Sequence, residues 1–466
     1  MARVWPFVVL AISVAAIVLL ISAARLHAFF ALIVSAMGAG FMARPGSLPG
    51  KPGTNHWVAA VEQTGIALGE TAGGIGIIIA LASVIGVCLL ESGAAEKIVR
   101  RFLAVFGAAR AALALTLGTY VVSIPIFFDT AFLLLVPLAR ALHLRTGRDY
   151  LLYLLGISVA GSITHVVIIP HPGPSRAATL LQVDAGLSIL VGLLTGLAPL
   201  AMTWVFCSWL NRRRTIAPAE MPGVSADQLR ALNETPEERL PSLGMSLLPI
   251  LMPLGLIWIG SAAEMAGNAC PATLHAWAAF FGHRNVALLM GAVWASAVLM
   301  RQRGLSLTAL AERLGPAVET AGVIILITSA GGAFGKMLTH AGIGRAIEAA
   351  VAGGSVNLVL LAWFVAMVIR VAQGSATVAI ITGATIMAPL LGKTLPVHPL
   401  YLFMAVCYGG LFVSWMNDSG FWVISRVGGM TERETLANWT VTSGVLSLSG
   451  LLTTYLLSQL LPMARG

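Results

Sequence analysis

The sequence predicts an all-α polytopic membrane protein made of two inverted repeats, with re-entrant hairpins and broken helices: about ten full spans plus two hairpins. Three observations lead there. First, 58% of residues are hydrophobic and 10% charged, with mean hydropathy +0.90, whereas a soluble domain carries about 25% charged residues. Second, two apolar stretches meet a small or polar tip and then continue too briefly to cross a bilayer. After Asp129 the apolar run 131–142 gives roughly 18 Å of helix, and after Thr377 the run 378–391 gives about 21 Å, against a hydrocarbon core of roughly 30 Å. Third, Glu70-Thr71-Ala72-Gly73 recurs as Glu319-Thr320-Ala321-Gly322, 249 positions later. The same offset pairs Gly86 with Gly335, Gly93 with Gly342, Ile98 with Ile347 and Gly161 with Gly410. Internal repeats of this kind build many transporters.

In chain order, residues 1–56 hold two N-terminal spans, at 4–24 and 27–43. The first lacks a convincing cleavage site and reads as a membrane helix. Residues 57–210 form the first repeat: a span opening at Glu70, a polar stretch 91–101, a hairpin over 108–142, a helix over 150–169 and a span over 187–210. Between the last two, Pro170, Pro172 and Pro174 remove backbone donors and break the helix. Residues 211–244 are a polar cytoplasmic linker. The second repeat, 245–466, opens with spans at 245–262 and 285–300, then repeats the order with a hairpin over 357–391. Five full spans separate the two Glu-Thr-Ala-Gly helices, and an odd number inverts the second repeat. Arginines cluster in the segments this count makes cytoplasmic (Arg100, Arg101 and Arg110; Arg140, Arg145 and Arg148; Arg212 to Arg214; Arg301, Arg303 and Arg313) and are sparse in the opposite loops, which carry Arg44, Lys51, Arg284, Arg345 and Lys393.

That distribution accounts for a pI near 9.9 without nucleic acid. The four cysteines lack metal-ligand spacing, so no metal or cofactor is expected. A membrane-embedded enzyme would need a nucleophile elbow or a His-Glu-x-x-His site, and neither occurs within the spans. A channel would show rings of pore-lining charge.

Three constellations carry candidate chemistry. The hairpin tips supply Asp129 and Thr130 in the first repeat and Gly374, Ser375 and Thr377 in the second. A carboxylate in apolar sequence is costly unless used, and the structural alternative for Asp129 is a partner to a buried arginine. The second constellation is the proline break, where His171, Gly173 and Ser175 precede a restarting helix whose positive end favours an anion; His165 is a weaker companion. The third is Asn417, Asp418 and Ser419, too polar to face lipid. Asp129, Asp418 and His171 are the proton-coupling candidates, because burial favours a neutral carboxyl and histidine titrates in the physiological range.

At these residues the chain resembles the gluconate permeases of the gluconate:proton symporter family, within the ion transporter superfamily. The matching strings are Ile124-Pro125-Ile126-Phe127-Phe128-Asp129, Pro170-His171-Pro172-Gly173-Pro174, Ala372-Gln373-Gly374-Ser375-Ala376-Thr377-Val378-Ala379 and Asn417-Asp418-Ser419-Gly420-Phe421-Trp422. The resemblance implies opposed hairpins in two inverted repeats and proton-driven uptake of gluconate or a related hydroxy-carboxylate across a bacterial inner membrane. The family pattern has Thr where Ser175 stands and Pro where Ile169 stands, and the linker is longer here. Other sugar acids and D-serine therefore stay open as substrates. The partners expected are that carboxylate, protons, the lipid bilayer and, as an open alternative, a second copy of the chain in a homodimer.

Overall fold

A computed structural model describes residues 4–50, 53–216, 236–351, 357–392 and 397–463. The described residues are helical with connecting turns and no strand. Most of the expected linker, the repeat-two loop residue Lys393, and Lys51 lie outside the described residues.

The two halves repeat one order of elements. A long helix (His56–Glu91, then Leu307–His340) leads into a short amphipathic one (Ala94–Phe106, Ile343–Val351). Next comes a pair of helices (Ala111–Val122 with Phe128–Thr146, Leu358–Gln373 with Ala376–Met387), then a broken helix (Tyr150–Val167 with Pro172–Leu180, Pro399–Gly409 with Ser419–Gly428). Each half closes on a further apolar stretch, Ala185–Arg213 or Glu432–Leu460. The long helices start 14 and 12 residues before the glutamates that were expected to open them. Asn55 and Ser306 cap them, accepting from Trp57 N and Ala309 N, and a capped start satisfies amides that the helix itself leaves orphaned. Gly332 faces Thr71 and Gly76 faces Ile325, so the long helices run antiparallel. This is the relation that inversion requires. Glycines at the crossing let the backbones approach, which replaces the hydrophobic drive absent in lipid.

Contacts along Tyr150–Val167 define the first hairpin. Thr116 lies against Gly156 and Ser123 against Gly161, so the entering helix runs with Tyr150–Val167. Phe128 also lies against Gly161, while Thr146 bonds the Tyr153 hydroxyl at 3.3 Å, so the leaving helix runs back. The tip, 123–127, turns at Pro125, which disfavours helical geometry at Ile124. In the second hairpin Gly383 and Gly409 both face Ala366, and Gly410 faces Ile380. The chain reverses there at Gly374, φ +89°, a conformation that glycine adopts without steric penalty.

By length and apolar composition, six helices among the described residues could cross a membrane, or seven with the bent pair Ala272–Gly282 and Arg284–Arg303 (61°). The first member of that pair was expected as a loop. The crossings expected at 4–24 and 27–43 are shorter helices, Trp5–Ile21 and Ala28–Phe41, as is Pro399–Gly409 before the second break.

Candidate functional site

Where the two hairpin tips and the two helix breaks meet, the described residues enclose a cavity of about 350 Å³. Its wall includes Asp129 from the first tip and Gly374, Ser375 and Thr377 from the second. Asn417, Asp418 and Ser419 come from the second break, Ser162 and His165 from Tyr150–Val167, and Thr328 from the second long helix. Four helices begin at this wall or beside it, at Phe128, Pro172, Ala376 and Ser419. Each N-terminus contributes a partial positive charge worth about 0.3–1 kcal/mol to an anion, more when partly buried, although at Pro172 two of the first three residues are prolines without an amide donor. Ser375 and Asp418 cap two of them through Val378 N and Gly420 N. The start at Phe128 carries no side-chain cap.

The sequence reading missed the cation. Arg370, on the last turn of Leu358–Gln373, is 3% exposed and lines the cavity. Its Nη2 donates to Asp418 Oδ2 at 2.5 Å. Its Nε and Nη1 are buried and have no partner among the described residues. Unpaired buried donors cost about 1–3 kcal/mol each, more when charged, so the guanidinium is under-satisfied until something accepts from it. An arginine in so apolar a run was as conspicuous as Asp129, and that was the available signal.

Asp418 is held by more than the arginine. The Ser414 hydroxyl donates to Oδ2, and Trp439 Nε1 donates to Ser414 Oγ at 2.8 Å. Val413, just before Ser414, sits at φ +48°, a strained conformation for a β-branched residue. Neighbours pin the segment: Ser414 N donates to Ser443 Oγ at 2.9 Å, and Thr440 Oγ1 donates to Ser414 O at 2.6 Å. A π-helical turn, Leu436–Thr440, brings Trp439 to the wall, where its ring stacks with Phe128 at 6.3 Å and 14°. Nothing in the local sequence announced that turn.

Asp129 differs. It lies in the first turn of Phe128–Thr146, half-buried on the cavity, with no hydrogen bond or ion pair among the described residues. The structural alternative, pairing with a buried arginine, falls to Asp418 instead.

The remaining sequence candidates lie behind the wall. His171 is buried, its Nε2 2.9 Å from Ser123 O, so it ties the proline break to the first tip. Gly173 packs on Thr377 and Ile380 of the second hairpin, where a Cβ would come within 3.4 Å of the Thr377 backbone. Ser175 is buried, and its carbonyl accepts from Arg284 Nη1 at 3.4 Å. Thr130 borders a different cavity. His165, the weaker companion, does face the site, with Nε2 3.5 Å from Thr377 Oγ1 and Nδ1 unpartnered.

Gly374 gives a direct test of the second tip. A Cβ there would both strain φ +89° and collide with the Asn417 backbone carbonyl. Gly374→Ala should therefore displace Asn417 and Asp418 and lower thermal stability by about 1–3 kcal/mol, read as a fall in melting temperature. A variant as stable and active as the parent would mean that the tip and the break do not pack this way.

A model of the GntP family permeases matches residues 5–461. A permease of Haemophilus influenzae described as uncharacterized is 33% identical over 448 residues, 94% of this chain and 88% of its own length. A gluconate permease of Pseudomonas aeruginosa is 32% identical over 455 residues, 97% of each chain. Among solved structures, the YdaH transporter of Alcanivorax borkumensis, described as having an unusual topology, superposes with TM-score 0.62 over 97% of this chain and all of its own, at 14% identity. That likeness concerns the fold alone. With a family match across nearly its whole length and these bacterial relatives, the chain is a multi-pass inner-membrane permease and belongs to the GntP family.

Proposed function

We propose that the protein is a proton-coupled symporter for gluconate or a closely related hydroxylated carboxylate. The observation that carries this reading is Arg370: a buried guanidinium with two free donors, set among four helix N-termini. The Nε–H and Nη1–H point to different sides of the guanidinium, so a carboxylate oxygen accepting from one and a substrate hydroxyl accepting from the other would satisfy it. The hydroxyls and amides of Ser162, Thr328, Gln373, Thr377 and Asn417 then face the hydroxylated chain. The gluconate permease relative supports the choice of acid.

Charge supports the coupling. Arg370 and Asp418 cancel, which leaves Asp129 as the uncompensated carboxylate of the wall. A substrate anion entering beside an ionised Asp129 would put two negative charges in a low-dielectric site. A proton on Asp129 removes one of them, so substrate and proton enter together. Between the two candidate carboxylates, Asp129 suits the proton carrier and Asp418 suits the fixed partner of the arginine. The antiparallel long helices and the repeated element order support two inverted repeats, with one hairpin entering from each side.

Purified protein in liposomes tests the substrate. Preloaded gluconate should drive saturable uptake of labelled gluconate against excess D-serine. If D-serine competes at equal concentration and sugar acids do not, the free Asp129 carboxylate is an ammonium acceptor instead, and the site is one for a zwitterion.

A further inference from the structure

A second cavity of about 170 Å³ lies next to the first and shares one residue with it, Phe127. Along the helix Leu307–His340 the first cavity touches Ile324, Ile327 and Thr328, and the second touches Pro316, Ala317 and Thr320. The two are therefore stacked along that helix, about 6 Å apart at their nearest residues. The second cavity is the nearer to the helix end where Arg313 pairs with Glu91 at 2.7 Å and Arg303 bonds the Glu91 carbonyl at 2.8 Å. Its wall bears no charge among the described residues. It carries the hydroxyls of Ser83, Thr130 and Thr320, and Ser83 Oγ is buried without a partner among the described residues.

Phe127 forms the partition. On one side its ring meets His165 and His171 edge-on, at 6.3 and 5.8 Å. On the other it packs against Ile75, Ile79 and Ala321, with Ile324, in a small apolar cluster separate from the main core. The contact of Phe127 with the long helices is thus apolar, with no hydrogen bond from its side chain to break on separation, while the neighbouring Ile126 packs on Gly86 of the first long helix. Apolar constrictions of this kind exclude water and ions until they part.

We propose that the second cavity is the inner compartment of the permeation route, a neutral hydroxyl-lined site that takes the hydroxylated substrate on its way to the arginine-rich face. Phe127 is the gate between the two compartments. An anion held by Arg370 gains nothing from a chargeless compartment beyond hydrogen bonds to its hydroxyls, so it passes through quickly, which suits release. Thr130, a hairpin-tip residue that the first cavity does not use, finds its place here. The inference rests on the chain being a permease and not on the identity of its substrate.

The test is thiol accessibility in a background with all four native cysteines replaced by serine, using a membrane-impermeant maleimide and no substrate. Thr320→Cys should react from the arginine-rich face. Thr328→Cys, beyond the partition, should react slowly from that face with Phe127 in place. With Phe127→Ala it should react at least about tenfold faster. Should Phe127→Ala fail to insert, Phe127→Leu keeps the apolar seat, removes the ring edges and should give the same direction of change. Equal Thr328→Cys rates with and without Phe127, or Thr320→Cys reacting only from the opposite face, would overturn the proposal. Because no substrate is present, a wrong choice of acid would leave this result standing.

Discussion

Arg370→Gln should reduce affinity for a carboxylate substrate by at least about a hundredfold. Hydrogen bonds to a charged group contribute about 1.5–3 kcal/mol each, two are available from Nε and Nη1, and each 1.4 kcal/mol is tenfold. The substitution also strands Asp418, whose Oδ2 the guanidinium holds at 2.5 Å. Breaking a buried pair from one side costs about 3–5 kcal/mol, so a loss of binding alone would not separate recognition from stability. The double variant Arg370→Gln/Asp418→Asn makes that separation. It removes both charges, so melting temperature should recover most of what the single variant lost, while binding stays lost. If the double variant binds gluconate as the parent does, Arg370 is a structural partner of Asp418 and no more. Arg370→Lys should fall between, since it keeps the charge and loses the planar fork.

The gross architecture was legible because the bilayer constrains it so strongly. The 12 apolar residues after Asp129 marked the hairpin, although the helix itself continues past 142 to Thr146, so the reversal rests on its contacts along Tyr150–Val167 and not on length alone. The repeated Glu-Thr-Ala-Gly tetrapeptide marked the two long helices, although it lies well inside them: the turns before it are half-polar, and only the caps Asn55 and Ser306 mark the true starts. In the site, residues at the tips and at the second break were found from polarity in apolar context. His171 and Ser175, expected at the site from the positive end of the helix that restarts after the proline break, lie behind it, because the break turns its side chains into the protein while its backbone approaches the second hairpin at Gly173. Arg370 lies on the helix leading to the tip, not at the tip itself, and its one mark in the sequence is a single cation in an apolar run. Trp439 and Phe127 could not be read at all, since nothing in the local sequence marks either aromatic as part of a wall. One depends on a π-helical turn, the other on which cavities its ring divides.

The second large effect concerns coupling. Asp129 is the one carboxylate of the wall without a partner among the described residues. Asn resembles a protonated Asp in shape and charge, so Asp129→Asn should fix the site in its proton-loaded form. Binding survives, because the carboxylate contacts run through Arg370. Transport down a gradient and exchange survive as well. What fails is the use of a proton gradient, since no proton is bound or released in the cycle. Asp418→Asn, in contrast, frees Arg370 from its partner and should disturb binding itself.

The most direct measurement compares two assays on the same Asp129→Asn proteoliposomes: gluconate exchange at equal pH, and gluconate accumulation driven by an imposed pH gradient. The account predicts exchange within a few-fold of the parent and accumulation reduced to equilibration. Accumulation above equilibrium in Asp129→Asn would contradict it, because the coupling proton would then travel on another group.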